Sequence, residues 1–187
     1  RRRPPLVSRE KARSWAMVMS VRPSAVETTL KRHPSLNTIV GAIPGALPPL
    51  VGYAATMGAI GLDGLLVFLL VFFWQIPHFL AIAWRYRRDY AAAGMIMLPA
   101  LDPTGARTGR QMLAWVAGLT AVTVLPFTMQ VRGEVYLAFA MLLNILFLAP
   151  AIWAAISRSE AAMRTTFRAS LLYLPGMLAA WVVCPGA

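Results

Sequence analysis

Charged residues are scarce in this sequence. They make up 13% of its 187 residues, whereas soluble domains carry about a quarter. Apolar residues make up 58% of the chain. Too few charges therefore remain to coat a water-exposed surface, and a lipid bilayer is the solvent that fits this composition. The shortage argues against a soluble globular domain.

Cysteine is almost absent. The single cysteine, Cys184, cannot form an internal disulfide, and no Cys/His spacing typical of a structural metal site occurs. The first residues are basic and rich in proline, without the apolar stretch and cleavage site of a signal peptide. The cysteine content argues against an internal disulfide and against a structural metal site.

Acidic side chains are outnumbered by basic ones, seven to 18, which gives a net charge of +11. Such a balance occurs in nucleic-acid-binding proteins. Here, however, the basic residues lie between long apolar runs rather than on one polar face. Anionic lipid headgroups explain the same charges better, so we predict a lipid bilayer and no nucleic acid as partner.

Five apolar runs approach the length of about 20 residues that a helix needs to cross a bilayer. They cover residues 37–60, 64–84, 112–130, 135–156 and 167–183, and contain one charged residue, Arg168. Of the 18 Lys and Arg residues, 17 fall in alternate connections. The positive-inside rule then places residues 85–110 and 157–168 in the cytoplasm and residues 131–134 outside. The sequence predicts an all-α, polytopic transmembrane bundle in one domain.

The second apolar run carries polar residues at helical spacing. Gln75, His78, Arg85 and Asp89 are 3, 7 and 4 positions apart, which places them within an arc of roughly 80° if one helix continues through them. Polar residues inside a membrane often mark a functional site. They also serve as hydrogen bonds between packed helices, and both interpretations stay open for Gln75 and His78.

Small and charged residues occur before and after this run in the sequence. Gly41 and Gly45 in the first run favour close helix packing, with a flat wall for a planar ligand as the alternative. Lys31 and Arg32 precede that run and suit a diphosphate or a carboxylate, although topology-setting charge is the commoner role. Asp102 begins an Asp-Pro-Thr-Gly stretch and is interpreted as a turn residue.

Three successive stretches resemble the heme O synthase (protoheme IX farnesyltransferase) family, which is part of the UbiA-type prenyltransferase superfamily. They read LKRHPSLNTIVGAIPGALPPLVGY, FWQIPHFLAIAWRYRRDYAAAGMIMLP and DPTGARTG. The WQ-x-PHF string followed by DY-x-x-x-G-x-x-ML is the most specific part. The resemblance covers about residues 29–187.

The resemblance implies a nine-helix bundle, of which about five spans lie in this chain, with two aspartate-rich cytoplasmic motifs facing one cavity. The resemblance implies that magnesium bridges these motifs to farnesyl diphosphate, and that the farnesyl group is transferred to a vinyl group of heme B to give heme O, the precursor of heme A. The implied setting is the inner (cytoplasmic) membrane. Heme A synthase or a terminal oxidase assembly pathway is the implied partner.

The resemblance also implies roles for single residues. Asp89 matches the second aspartate motif and is the expected catalytic, magnesium-binding residue. The candidates for diphosphate binding share a positive charge near the cytoplasmic edge: Lys31, Arg32, Arg85 and Arg88. The candidates for heme binding share a polar side chain within the spans: Asn37, Gln75 and His78. For His78, ligation of the heme iron and a hydrogen bond to a propionate are both open.

The first aspartate motif of the family has no counterpart in this sequence, and residues 1–28 do not resemble the helix expected there. We therefore expect residues 1–28 to be a basic leader, residues 29–187 to be the C-terminal part of the prenyltransferase domain, and the chain to be inactive alone. Two alternatives stay open: a non-catalytic membrane remnant or assembly partner, and a prenyltransferase acting on a quinone precursor.

Overall fold

Helices make up nearly all of the part of the chain that the computed structural model describes, which is residues 34–92, 97–184 and 186, the first four by backbone alone. The helices are α1 (Pro34–Met57), α2 (Leu62–Arg85), α3 (Arg87–Ala92), α4 (Ala106–Thr128), α5 (Glu134–Ser157) and α6 (Glu160–Val183). A 3₁₀ turn, Leu98–Ala100, lies between α3 and α4. The proposed leader, residues 1–28, lies outside the described residues.

The five long helices are each long and apolar enough to cross a membrane. Large apolar side chains also remain exposed on their outer faces, among them Ile156, Leu172 and Val182, which are 75%, 75% and 83% exposed. Apolar surface of this extent is stable against lipid and costly against water. The prediction of an all-α, multi-pass membrane protein is confirmed.

Helix α2 occupies the centre of the bundle. It packs against α1, α4 and α6, while α5 packs against α4 and α6. The face of α2 that meets these neighbours buries Leu66, Leu70, Ile76, Leu80 and Trp84. Polar groups on α2 can therefore contact three neighbouring helices.

Two ionic contacts mark the two ends of the bundle. Arg132 Nη2 lies 3.2 Å from Asp63 Oδ1, which joins the α4–α5 turn to the start of α2. At the other end, Arg87 Nη1 lies 3.4 Å from Glu160 Oε1 and joins α3 to the start of α6. We call this second region the Glu160 end. Alternate connections thus share one end of the bundle, as the charge distribution predicts.

Two of the long helices begin six or seven residues earlier than the apolar runs predict. Helix α6 begins at Glu160 rather than near residue 167, because the Ser159 hydroxyl caps it by accepting a hydrogen bond from the Ala162 amide at 3.2 Å. Helix α4 begins at Ala106 rather than near residue 112. Apolar runs report only the part of a helix that lies in lipid, so the polar first turns of both helices were missed.

Asp102 fixes the start of α4. One of its carboxylate oxygens accepts hydrogen bonds from the amide and the hydroxyl of Thr108, at 2.8 and 2.9 Å. Burial alone would raise the pKa of the Asp102 carboxyl, but hydrogen bonds from Thr108 and Thr104 outweigh burial and hold that pKa below its ordinary value. The interpretation of Asp102 as a structural residue agrees with these contacts.

The transmembrane orientation is open to a direct test. In a Cys184→Ala background, Arg107→Cys should react with a membrane-impermeant thiol reagent from the cytoplasmic side only, and Gly133→Cys from the outer side only. The reason is that 17 of 18 Lys and Arg residues lie in the connections assigned to the cytoplasm. Labelling is measured in right-side-out and inverted vesicles. Reaction of both cysteines from the same side would contradict this topology.

Candidate functional site

A polar pocket of about 260 Å³ opens at the Glu160 end of the bundle. Its lining comes from the end of α2, from α3 and from the first turns of α6, and consists of Trp84, Arg85, Tyr86, Asp89, Glu160, Met163 and Arg164. Two arginines and two carboxylates thus surround one small volume. The pocket joins two connections of the chain that lie more than 70 residues apart.

The pocket forms where α2 breaks. The helix ends at Arg85, Tyr86 adopts φ −101° and ψ 19°, and the six-residue helix α3 follows. The sequence places Asp89 on the polar face only if one helix continues through it, and this condition is not met, because Asp89 lies on a separate helix. Arg85 and Asp89 nevertheless line the same pocket.

Arg87 is held in place by three contacts. Its Nη1 donates a hydrogen bond to the Trp84 carbonyl at 2.7 Å, and its guanidinium lies 4.6 Å from the centre of the Trp84 ring. The same nitrogen is within 3.4 Å of Glu160 Oε1. Arg87 thus partly balances the charge of Glu160, which leaves Arg85 and Arg164 as the cations among the described residues that line the pocket.

The charges of the pocket suit an anion that carries a divalent cation. Magnesium typically binds one or two carboxylates together with substrate phosphates and water, and Asp89 and Glu160 both line the pocket. Asp89 is exposed and available, whereas Glu160 is shared with Arg87. Within the described ranges no group of three or more His, Cys, Asp or Glu side chains has the arrangement of a metal site. The residues therefore fit magnesium held jointly with a phosphate ligand.

His78 lies deeper in the bundle, at the contact between α2 and α6. Its Nδ1 is 2.7 Å from the hydroxyl oxygen of Ser170. The ring of Trp74 stacks on it with centroids 4.7 Å apart, and the ring of Phe167 lies at 5.1 Å. Trp74 Nε1 also donates a hydrogen bond to the Ser170 carbonyl at 2.8 Å. His78 is thus fixed from several directions.

Gln75 joins α2 to α1. Its Nε2 donates a hydrogen bond to the Ala42 carbonyl at 2.7 Å, and the side chain is 3% exposed. A Cβ atom at Gly45 would collide with the Gln75 amide oxygen. Gly45 therefore allows the close packing that the sequence suggests, whereas a Cβ atom at Gly41 would have no neighbouring atom within 4 Å. Heme binding by Gln75 remains a prediction.

The structure describes the remaining predicted residues to different extents. Lys31 and Arg32 lie outside the described residues, and Asn37 lies in the first turn of α1 with only its backbone described. Arg88 is exposed on α3 and does not line the pocket. No contact contradicts the roles assigned to these residues, and none tests them.

Three residues of the candidate site were not predicted from the sequence. Glu160 and Arg164 line the pocket, and Ser170 contacts His78. Glu160 and Arg164 stand at i and i+4, a spacing that places both on one side of a helix. That signal was present in the sequence, but it does not reveal that α3 packs beside them. Ser170 gives no signal of its own, because a lone serine in a transmembrane helix most often bonds to its own helix.

Comparison with known proteins gives consistent matches. The profile of the UbiA prenyltransferase family matches residues 24–179. A protoheme IX farnesyltransferase from Solibacter usitatus is 40% identical over 148 residues, which are 79% of this chain and 51% of that protein. The enzymes of the same name from Salinibacter ruber and Myxococcus xanthus are 40% and 38% identical, over 84% and 82% of this chain and 56% and 52% of their own lengths.

The chain spans about half the length of the curated relatives it matches. No solved structure shows a significant match to it. The family profile covers most of the chain, including the first four long helices, most of α6 and the pocket at the Glu160 end. By this match the chain belongs to the UbiA prenyltransferase family.

Proposed function

We propose that this chain acts in the transfer of a farnesyl group from farnesyl diphosphate to a vinyl group of heme B, which gives heme O. The observation that carries the proposal is the pocket at the Glu160 end, where Arg85 and Arg164 lie with the carboxylates of Asp89 and Glu160. The relatives named protoheme IX farnesyltransferase support this choice of substrates. The expected setting is the inner (cytoplasmic) membrane.

The pocket suits the leaving group of the reaction. Ionisation of the allylic C–O bond leaves its electron pair on the diphosphate, where negative charge develops, and preorganised positive groups stabilise that charge most. We assign this role to Arg85 and Arg164, which both line the pocket, with Lys31, Arg32 and Arg88 as further candidates. Magnesium held by Asp89 would supply additional positive charge to the diphosphate.

The membrane-spanning surfaces serve the rest of the reaction. The vinyl π electrons of heme B form the new C–C bond to the farnesyl cation, and water then adds to the resulting porphyrin-side cation and loses a proton. The farnesyl chain needs apolar surroundings until that step, because water would otherwise capture the first cation. The helices offer such surroundings, with His78, Gln75 and Asn37 as the candidate contacts to heme. Heme A synthase or a terminal oxidase assembly pathway would use the product.

Heme O formation tests this proposal. The chain is expressed in a bacterial host that lacks its own synthase, both alone and together with the N-terminal half of the Solibacter usitatus relative. Extracted hemes are identified by mass, and that N-terminal half alone is the control. We expect heme O when the two chains are expressed together. Two chains found in the membrane without any heme O would overturn the proposal, and a prenylated quinone precursor would redirect it.

A further inference from the structure

Ser170 has a single hydroxyl proton, and the distances around its oxygen indicate where that proton goes. The Ser170 hydroxyl oxygen lies 2.6 Å from the Phe167 carbonyl oxygen and donates to it. Two oxygens at this distance repel each other unless a proton lies between them. The same hydroxyl lies 2.7 Å from His78 Nδ1. It has no second proton to donate, so His78 Nδ1 must carry a hydrogen and Ser170 must accept it.

The surroundings of His78 favour a neutral ring. Its neighbours are the aromatic rings of Trp74, Phe79 and Phe167, and no carboxylate among the described residues contacts it. A charged imidazolium at such a position in a membrane-spanning helix would be buried without a counter-ion, which is costly. A neutral ring with a hydrogen on Nδ1 has a lone pair on Nε2.

We infer that Ser170 is a positioning residue that holds His78 in the Nδ1–H form, so that Nε2 offers its lone pair to the iron of heme B. This inference rests on the proposed function and deepens it. A propionate needs a hydrogen-bond donor, which Nε2 is not in this form, whereas iron needs an electron pair. Histidines that bind metals commonly donate their other N–H to a protein oxygen, which fixes the ring. The Ser170 contact has that arrangement.

The position of Ser170 is itself well fixed. Its carbonyl accepts the hydrogen bond from Trp74 Nε1 at 2.8 Å, and its side chain is fully buried. Trp74 and His78 lie one turn apart on α2, so both are bound to the same residue of α6. These two contacts resist movement of α2 against α6, and they keep the imidazole in one orientation.

The tautomer is measured first, because that measurement does not depend on heme. The chain has two histidines, His33 and His78, so His33→Gln leaves His78 as the only imidazole. Nitrogen-15 NMR of the labelled protein in bilayers distinguishes the two neutral forms. We expect a hydrogen on Nδ1 and none on Nε2. Ser170→Ala should weaken this preference, and Ser170→Thr, which keeps the hydroxyl, should retain it. An Nε2–H form in the presence of Ser170 would overturn the inference.

Ligand binding is measured second, with two porphyrins that differ only in iron. Ferric heme B and metal-free protoporphyrin IX carry the same propionates, and binding of each is followed by optical titration of the full chain in nanodiscs. We expect Ser170→Ala to weaken heme B binding about 10–100-fold, as losses of such supporting contacts do, and His78→Ala to weaken it at least as much. Neither variant should change the affinity for protoporphyrin IX, and Ser170→Thr should bind heme B normally.

The other outcomes separate the two proposals. Equal loss of heme B and protoporphyrin IX would indicate a contact to the propionates or general damage, and would overturn iron ligation. Unchanged affinity for both would overturn it as well. If the unaltered chain binds neither porphyrin, the heme site of the proposed function fails in this chain, and the NMR result still decides whether Ser170 sets the tautomer.

Discussion

Asp89→Asn is expected to slow farnesyl transfer by about 10²–10³-fold, the usual cost of losing one electrostatic group at a reacting centre. It should also weaken magnesium-dependent binding of a non-reactive farnesyl diphosphate analogue. Asparagine keeps the size of the side chain and removes the negative charge that would hold magnesium. Binding is measured by titration with and without magnesium, and transfer by the rate of heme O formation when the chain is expressed together with the relative's N-terminal half.

Folding should be unaffected, because Asp89 is exposed on α3 and no hydrogen bond or ion pair joins its side chain to another described residue. Glu134→Gln is the matched control, since Glu134 is an exposed carboxylate in the first turn of α5 at the opposite end of the bundle. It should leave both measurements unchanged. An Asp89→Asn variant with the same magnesium-dependent affinity as the unaltered chain would rule out the metal-binding role.

The transmembrane spans were predictable because charged side chains are costly in the lipid interior. A charge at the middle of a bilayer costs about 2.5–3.5 kcal/mol on insertion scales, so five nearly charge-free runs identify five helices. The ends of the helices were less predictable. Arg164 and Arg168 lie well inside α6, because long basic side chains reach the interface while their backbone stays helical.

Only half of the pocket was predictable. Arg85 and Asp89 are four residues apart, and local geometry relates them even though the helix breaks at Tyr86. Glu160 and Arg164 come from α6, and their place in the pocket depends on how α6 packs against α2. Helical periodicity describes the faces of one helix and does not identify the helix that covers each face.

The same limit applies to the polar residues of α2. Their shared face was predictable from spacing, but their separate partners were not. Gln75 bonds to α1 and His78 to Ser170 of α6, over 33 and 92 residues of chain. For Gln75 the structure shows a hydrogen bond between packed helices, which is one of the two interpretations of the sequence. For His78 it supplies a contact that selects one tautomer, which no spacing could indicate.

Gly105→Ala is expected to lower the free energy of unfolding by about 2–5 kcal/mol, the sum of two effects. Gly105 has φ +73°, a left-handed conformation that costs a residue with a Cβ atom roughly 1–2 kcal/mol. The new Cβ would also collide with the ring of Trp84, which is 4% exposed and cannot move freely. Overpacking of this kind typically costs about 1–3 kcal/mol.

Two other glycines separate these effects. Gly58 has φ +72° and no atom within 4 Å of the position that a Cβ would take, so Gly58→Ala should show the backbone cost alone. Gly133 has no positive φ and no atom within 4 Å of the position that a Cβ would take, so Gly133→Ala should cost the least of the three substitutions. Unfolding is followed by denaturant titration in detergent. A Gly105→Ala variant no less stable than Gly58→Ala would show that the Trp84 contact is not tight.

The collision with Trp84 also links this turn to the pocket. Trp84 lines the pocket and supports the Arg87 guanidinium, so displacing its ring should weaken binding of the diphosphate analogue as well as stability. Trp84→Phe shortens the side chain and removes the atoms that the new Cβ would meet. In a double-mutant cycle, Gly105→Ala should therefore cost less in the Trp84→Phe background, close to the cost of Gly58→Ala. Equal costs in both backgrounds would assign the whole effect to the backbone.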